Sequence, residues 1–239
     1  MIQLLHGNAL AVLPKLTPST YDAVITDPPY ASGGKSLAER QQATSKKYTN
    51  TKNHSPFPDF EGDAMDQRSW TRLMTEALAF CRTAAKPGAI LAMFIDWRQY
   101  AALTDALQWA GWLFRGAAVW DKVSSRPQRG RFRQQAEFIL WASNGHLSAN
   151  RSVPCLPGVY TMPNVNNIGT EVRYHTTQKP LALMRQIVKI TVPGGHILDP
   201  FCGSGSTLEA AALEGYSATG IEVSLPIIRT AAERLDVDI

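Results

Sequence analysis

Apolar positions along the chain follow two alternating periods. Runs that are apolar at nearly every position, at 2–5, 21–26, 89–95, 112–120, 136–141, 196–198 and 218–221, predict seven strands. Between most of them apolar residues recur at helical spacing. The clearest sets are Leu10, Leu13 and Leu16; Trp70, Leu73, Met74, Ala77, Leu78 and Cys81; and Leu103, Ala106 and Leu107. Lys86-Pro87-Gly88 stops the second set and Gly111 the third. Two further helices are predicted, one over 208–213 capped by Gly215 and one from about 226 to 235. Strands alternating with helices imply an α/β domain over 1–239 with a mostly parallel, doubly wound sheet. The strands at 112–120 and 136–141 have no helix between them, so they form a hairpin and supply one antiparallel edge. No internal repeat or linker divides the chain.

Two stretches carry neither period. Residues 31–60 hold Gly33-Gly34, Pro56, Pro58 and many Ser and Thr, and read as a long mobile loop. From 35 to 52 that loop sets Lys35, Arg40, Lys46, Lys47 and Lys52 against one acid, Glu39. Gly34-Lys35-Ser36 resembles the end of a phosphate-binding P-loop, but Pro29 stands where its first glycine is required. The second stretch, 143–174, is an irregular insert rich in Asn, Pro and Gly.

Four predicted strands end in an acid: Asp27, Asp96, Asp199 and Glu222. In doubly wound sheets ligands sit at such ends. Asp27 opens Asp27-Pro28-Pro29-Tyr30. The prolines fix φ twice and cannot continue a ladder, so the carbonyls of Asp27 and Pro28 are held rigidly beside an aromatic ring. Rigid acceptors next to a flat ring suit a planar amino group, such as the amino edge of a nucleobase. The plainer alternative is a strand end followed by a turn, with Tyr30 packing. Asp199 opens Asp199-Pro200-Phe201-Cys202-Gly203-Ser204-Gly205-Ser206-Thr207. Gly203 and Gly205 let a ligand approach the backbone, and the next helix turns its positive end to an anion. Glu222 lies 17 residues past Gly205, near the spacing at which an acid meets a ribose hydroxyl pair. Leu208 replaces the last glycine of a dinucleotide fingerprint, so a nucleoside bearing a carboxylate fits better than a dinucleotide.

The chain has 239 residues, 44% of them hydrophobic and 18% charged, which suits one domain able to bury its own core. There is no apolar run of membrane-spanning length and no signal-peptide pattern. The three cysteines, Cys81, Cys155 and Cys202, read as reduced thiols of a cytoplasmic protein, and no metal is expected. Net charge is +4, compatible with a polyanion partner. Its distribution says more: Lys122, Arg126, Arg129, Arg131 and Arg133 crowd the predicted hairpin turn with no acid among them. That turn suits phosphate contacts. Within the insert, Asn150, Arg151, Asn164, Asn166, Asn167 and Arg173 are candidate base readers, although Asn in loops more often stabilises turns.

Asp27-Pro28-Pro29-Tyr30, then His175-Thr176-Thr177-Gln178-Lys179-Pro180, then Asp199 to Ser206, ending in Gly220-Ile221-Glu222, resembles the amino-group DNA methyltransferases. The order of motifs is that of their β class, and the resemblance covers nearly the whole chain. It implies a seven-stranded methyltransferase fold, S-adenosylmethionine as methyl donor and double-stranded DNA as partner. By matching positions it makes Asp27, Pro28, Pro29 and Tyr30 catalytic. Cofactor contacts fall to Asn8, Ala9, Asp27, Lys179, Pro180, Asp199, Phe201, Cys202, Gly203, Ser204, Gly205, Ser206, Glu222 and Val223. Lys46, Lys47, Lys122, Arg126, Arg129, Arg131, Arg133, Arg151 and Arg173 would meet DNA. Asn8 stands where the family usually has Asp, and Ile227 where it often has Tyr. Asp at the head of the first motif points to adenine N6, whereas cytosine-N4 members more often have Ser. The target base would be flipped out of the duplex. Protein-glutamine methyltransferases share the motif with Asn first, but in the opposite motif order. Pro154-Cys155 matches the nucleophile pair of cytosine-C5 enzymes, yet sits in the irregular insert. A catalytically silent DNA-binding subunit is the reading from another class. The short insert implies a short or relaxed target sequence, or a homodimer whose second subunit adds DNA contacts. The setting implied is restriction-modification or a solitary modifier.

Overall fold

The computed structural model describes residues 1–31, 65–123, 125, 127, 129–165, 174 and 178–239. Most of the expected mobile loop, with Lys46 and Lys47, lies outside the described residues. So do Arg126, Asn166, Asn167, Arg173 and 175–177.

Among the described residues eight strands form one sheet: β1 (Ile2–His6), β2 (Tyr21–Thr26), β3 (Ala85–Ile95), β4 (Leu113–Asp121), β5 (Ala136–Ser143), β6 (Val159–Thr161), β7 (His196–Asp199) and β8 (Ser217–Glu222). Their order is β1-β8-β7-β2-β3-β5-β4-β6. β3 and β4 both run antiparallel to β5, and every other pairing is parallel. The mostly parallel sheet is as expected, with two differences. The insert contributes an eighth strand, β6, which pairs Val119 with Val159 and Asp121 with Thr161. The hairpin is therefore not the sheet's edge, because β6 covers β4. β6 escapes a pattern reading because it has three residues, of which only Tyr160 is buried.

The described helices are α1 (Ala9–Val12), α2 (Gln67–Ala84), α3 (Tyr100–Trp109), α4 (Leu181–Ile187), α5 (Ser206–Leu213) and α6 (Leu225–Leu235). They cover both faces, which is why the central strands are apolar at successive positions. On one face Val24, Leu91, Met93 and Ile95 pack with Trp70, Met74 and Leu78 of α2 and Leu103 and Leu107 of α3. On the other, Ala23, Ile25, Ala92 and Phe94 pack with Leu183 of α4, Leu208 of α5 and Ile228 of α6. Asp66 caps α2, accepting from the N–H groups of Arg68 and Ser69. β3 starts at Ala85, earlier than its apolar run, and Pro87 is tolerated because the pairing with β2 shifts register between Tyr21 and Ala23.

From β2 the sheet extends through β3 in one direction, and through β7, β8 and β1 in the other. The crevice of such a sheet opens where these directions part, beyond the carboxyl ends of β2 and β7. Glu137 reaches the same edge, because β5 runs the other way and its amino end lies beside the carboxyl ends of β3 and β4.

Candidate active site

Asp27 stands just beyond β2, at the point where the strand order switches. The buried Thr26 hydroxyl donates to Asp199 Oδ1 at 2.6 Å and ties the ends of β2 and β7 together. The Asp-Pro-Pro-Tyr run is pinned from the other side. Trp70 is wholly buried on α2, and its indole N–H must find an acceptor; it donates to the Pro29 carbonyl at 2.7 Å. The Tyr30 hydroxyl donates to Asp27 Oδ1 at 2.5 Å, and Lys179 Nζ donates to Asp27 Oδ2 at 2.5 Å. Lys179 also lies 3.1 Å from the Tyr30 hydroxyl and 3.5 Å from Glu137 Oε2, among the rings of Tyr30, Phe94 and Trp120. Glu137 Oε1 accepts from Lys122 Nζ at 2.9 Å.

The result is a row of alternating charge, Lys122, Glu137, Lys179, Asp27, in which Lys179 is buried and the other three are half-buried. Burial raises the Asp27 pKa and outweighs the opposing pull of Lys179. For Lys179, burial works against the charge, yet Asp27 and Glu137 more than offset it and its pKa rises. For Glu137, burial opposes ionisation, but Lys179 and Lys122 prevail and its pKa falls. Burial and the neighbouring Asp27 hold Tyr30 well above the usual phenol range, so it remains a hydrogen-bond donor.

The glycine-rich segment after β7 is shaped from inside. Asp199 is buried and accepts from Thr26, from the Phe201 N–H at 3.1 Å and from Thr207. Burial pushes its pKa up to about 6. Its carboxylate thus holds the turn together rather than reaching outward. Gly203 (φ 51°) and Gly205 (φ 84°) take left-handed conformations. A Cβ on Gly203 would meet nothing within 4 Å, so its backbone faces open space. The Gly203 N–H donates to Glu222 Oε2 at 3.1 Å, and the Ser224 N–H to Oε1 at 2.8 Å. Cys202 is buried, and burial raises its thiol pKa. Gly220 is required for close approach: a Cβ there would lie 2.8 Å from Cys202 Cβ, Cys202 Sγ and Leu208 Cδ2.

The end of β1 completes this half of the site. Asn8 Oδ1 caps α1 through the Leu10 N–H at 2.9 Å, the Gly7 N–H donates to the Glu222 carbonyl, and His6 Nε2 meets the Val223 carbonyl at 3.1 Å. Asn8, Ala9, Glu222 and Val223 therefore gather beside Gly203. Pro180 is buried and immediately precedes α4.

Three contributors were not legible in the sequence motifs. Trp70 and Glu137 belong to none of them. Arg234 on α6 donates to the Ser204 carbonyl and Ser206 Oγ, both at 3.1 Å, pairs with Glu209 and stacks on Tyr174. One signal was available: Ile227, Ala231 and Arg234 share helical spacing, which puts a charge on a buried face.

The expected DNA contacts divide. Arg129, Arg131 and Arg133 are exposed around the turn at Gly130. Lys122 instead points inward to Glu137. Arg151 donates to the Ile190 carbonyl at 3.1 Å, ahead of the amino end of β7 and thus at the opposite end of the sheet from Asp27. Cys155 is exposed and free. Among the described residues no cluster of His, Cys, Asp or Glu could hold a metal ion, and no helix is long and apolar enough to cross a membrane.

A family model described as DNA methylase matches residues 21–233. The DNA adenine methyltransferase YhdJ of Escherichia coli (strain K12) is 26% identical over 263 residues, covering 98% of this chain and 82% of that protein. Among solved structures, the M1.HpyAVI–SAM complex superposes with a TM-score of 0.70 at 24% identity, covering 99% of this chain and 100% of that one. The cytosine-N4-specific PvuII DNA methyltransferase superposes with a TM-score of 0.71 at 15% identity, covering 98% of this chain and 86% of that one.

Proposed function

The chain belongs to the DNA methylase family, and we propose that it moves a methyl group from S-adenosylmethionine to adenine N6 of a base flipped out of duplex DNA. The observation that carries this reading is the placement of Asp27. Its carboxylate accepts from the Tyr30 hydroxyl beside the rigid Pro28-Pro29 step, and the preceding residue, Thr26, hydrogen-bonds Asp199 at the head of the glycine-rich turn after β7.

The residues around that turn fit the cofactor. The open backbone at Gly203 admits a ligand, and Glu222, anchored by two N–H groups, suits a ribose hydroxyl pair. Asn8, Ala9 and Val223 flank the position of the nucleoside, and Phe201 to Ser206 with Lys179 and Pro180 would line its other side. When bound, S-adenosylmethionine supplies an electrophilic methyl group. The protein's part is to prepare the amine. The lone pair of an exocyclic amine is delocalised into the ring. Hydrogen bonds from its two N–H groups to Asp27 and the Pro28 carbonyl favour a more tetrahedral nitrogen with an available pair. Tyr30 stacks on the base, and the Asp27 carboxylate meets the positive charge that develops on nitrogen.

Adenine is favoured by Asp27 at the head of the motif and by the relative named as an adenine methyltransferase. Cytosine N4 is the second reading, since the same fold serves a cytosine-N4-specific enzyme. Nucleoside mass spectrometry of unmethylated duplex DNA incubated with protein and cofactor separates the two. N6-methyladenine supports the proposal, whereas N4-methylcytosine keeps the mechanism and replaces the base.

A further inference from the structure

Both donors that occupy Asp27 have a second acceptor within reach, and it is the same atom. The Tyr30 hydroxyl lies 2.5 Å from Asp27 Oδ1 and 3.4 Å from Glu137 Oε2. Lys179 Nζ lies 2.5 Å from Asp27 Oδ2 and 3.5 Å from Glu137 Oε2. Glu137 is steadied through its other oxygen by Lys122. If Asp27 receives the target amino group, as proposed above, the lone pairs and space before it must be yielded by Tyr30 and Lys179. Stripping a buried ammonium of its carboxylate is strongly unfavourable unless another carboxylate takes it. A shift of about an ångström hands both donors to Glu137 without leaving either unpaired, since ordinary hydrogen bonds span about 3 Å.

We infer that Glu137 is a positioning residue: it is the acceptor onto which Lys179 and Tyr30 move when the base enters, leaving Asp27 to the amino group. The inference rests on the reading of Asp27 as the amine's acceptor. Glu137 would act through the other two side chains and not on the base. The competing role is structural, a brace that holds the cationic hairpin through Lys122.

Single-turnover methyl transfer from tritiated S-adenosylmethionine to unmethylated genomic DNA, at saturating cofactor and DNA, separates these roles. The proteins compared are the full-length wild type, Glu137→Gln, Lys179→Gln and the double variant. Glu137→Gln is expected to slow the saturating rate about tenfold or more, with DNA half-saturation and calorimetric cofactor affinity within about twofold of wild type. In the Lys179→Gln background, where no ammonium needs relocating, the same change is expected to cost less than about threefold. Equal losses in both backgrounds, a loss confined to DNA half-saturation, or a wild-type rate for Glu137→Gln overturns the inference. So does a Lys179→Gln protein with no measurable transfer, because the ammonium would then serve the reaction itself. Glu137→Asp keeps the charge but withdraws the acceptor, and covers the case in which Glu137→Gln does not fold. It is expected to be slower at saturation, and a wild-type rate again overturns the inference. An Asp27→Ala protein that still transfers methyl groups would sink the reading of Asp27; a fully active Glu137→Gln protein would sink only this one.

Discussion

Asp199 is a carboxylate doing a backbone's work. It joins β2 to β7 through Thr26 and closes the following turn through the Phe201 N–H, and burial raises its pKa from the ordinary value of 3.8 to about 6. Between those values the folded state binds more protons than the unfolded chain. The Asp199 contribution to stability is therefore full below the unfolded value and is lost as pH rises through about 6, an effect of roughly 3 kcal/mol. Asn at this position keeps an acceptor for Thr26 and Phe201 but cannot ionise. Urea unfolding between about pH 4 and 7 is expected to show wild type losing stability relative to Asp199→Asn as pH rises. Parallel pH dependence in the two proteins would contradict the internal role of Asp199.

The turn between β7 and α5 depends on β8 for its shape. A methyl group on Gly220 would collide with Cys202 and Leu208. Cys202 precedes Gly203, whose N–H is fixed to Glu222, so the collision reaches both ends of the proposed cofactor site. Gly220→Ala is expected to cost about 1–3 kcal/mol of stability and about tenfold in cofactor affinity. Calorimetry well below the melting temperature checks the second figure. Wild-type affinity in a destabilised protein would detach the turn's geometry from binding. The elements that matter here differ in how plainly the sequence announces them. β2, β3, β7 and β8 are covered on both faces, so successive apolar positions reveal them, and the acids at the ends of β2, β7 and β8 mark the site. β6 buries only Tyr160 and leaves no pattern. Trp70, Glu137 and Arg234 take their roles from partners 41, 42 and 30 residues away in sequence, at Pro29, Lys179 and Ser204. Local periodicity carries no trace of such pairings. The same limit explains Lys122, which looks like one more cation of the hairpin until β5 brings Glu137 beside it.

Across the whole molecule the charge of +4 is unevenly spread, and part of it is consumed internally. Lys122 and Lys179 serve Glu137 and Asp27, while Arg234 serves the glycine-rich turn. Arg129, Arg131 and Arg133 remain exposed around Gly130, on the hairpin whose base adjoins the site through Lys122 and Glu137. If this hairpin tracks the phosphate backbone, replacing all three arginines with Gln reduces the slope of log affinity against log salt by up to about 3, near one unit per lost contact. Fluorescence anisotropy with duplex DNA over a salt series measures that slope. An unchanged slope would assign the DNA path to another surface.

The proposed reaction turns on Asp27, just beyond β2, as acceptor for the amine that takes the methyl group. Methyl incorporation from tritiated S-adenosylmethionine into unmethylated duplex DNA is the decisive measurement, comparing wild type with Asp27→Ala beside calorimetric cofactor binding. Wild type is expected to incorporate methyl groups and Asp27→Ala to lose at least about a thousandfold, with cofactor binding retained. Incorporation by Asp27→Ala near the wild-type rate would remove that role from Asp27.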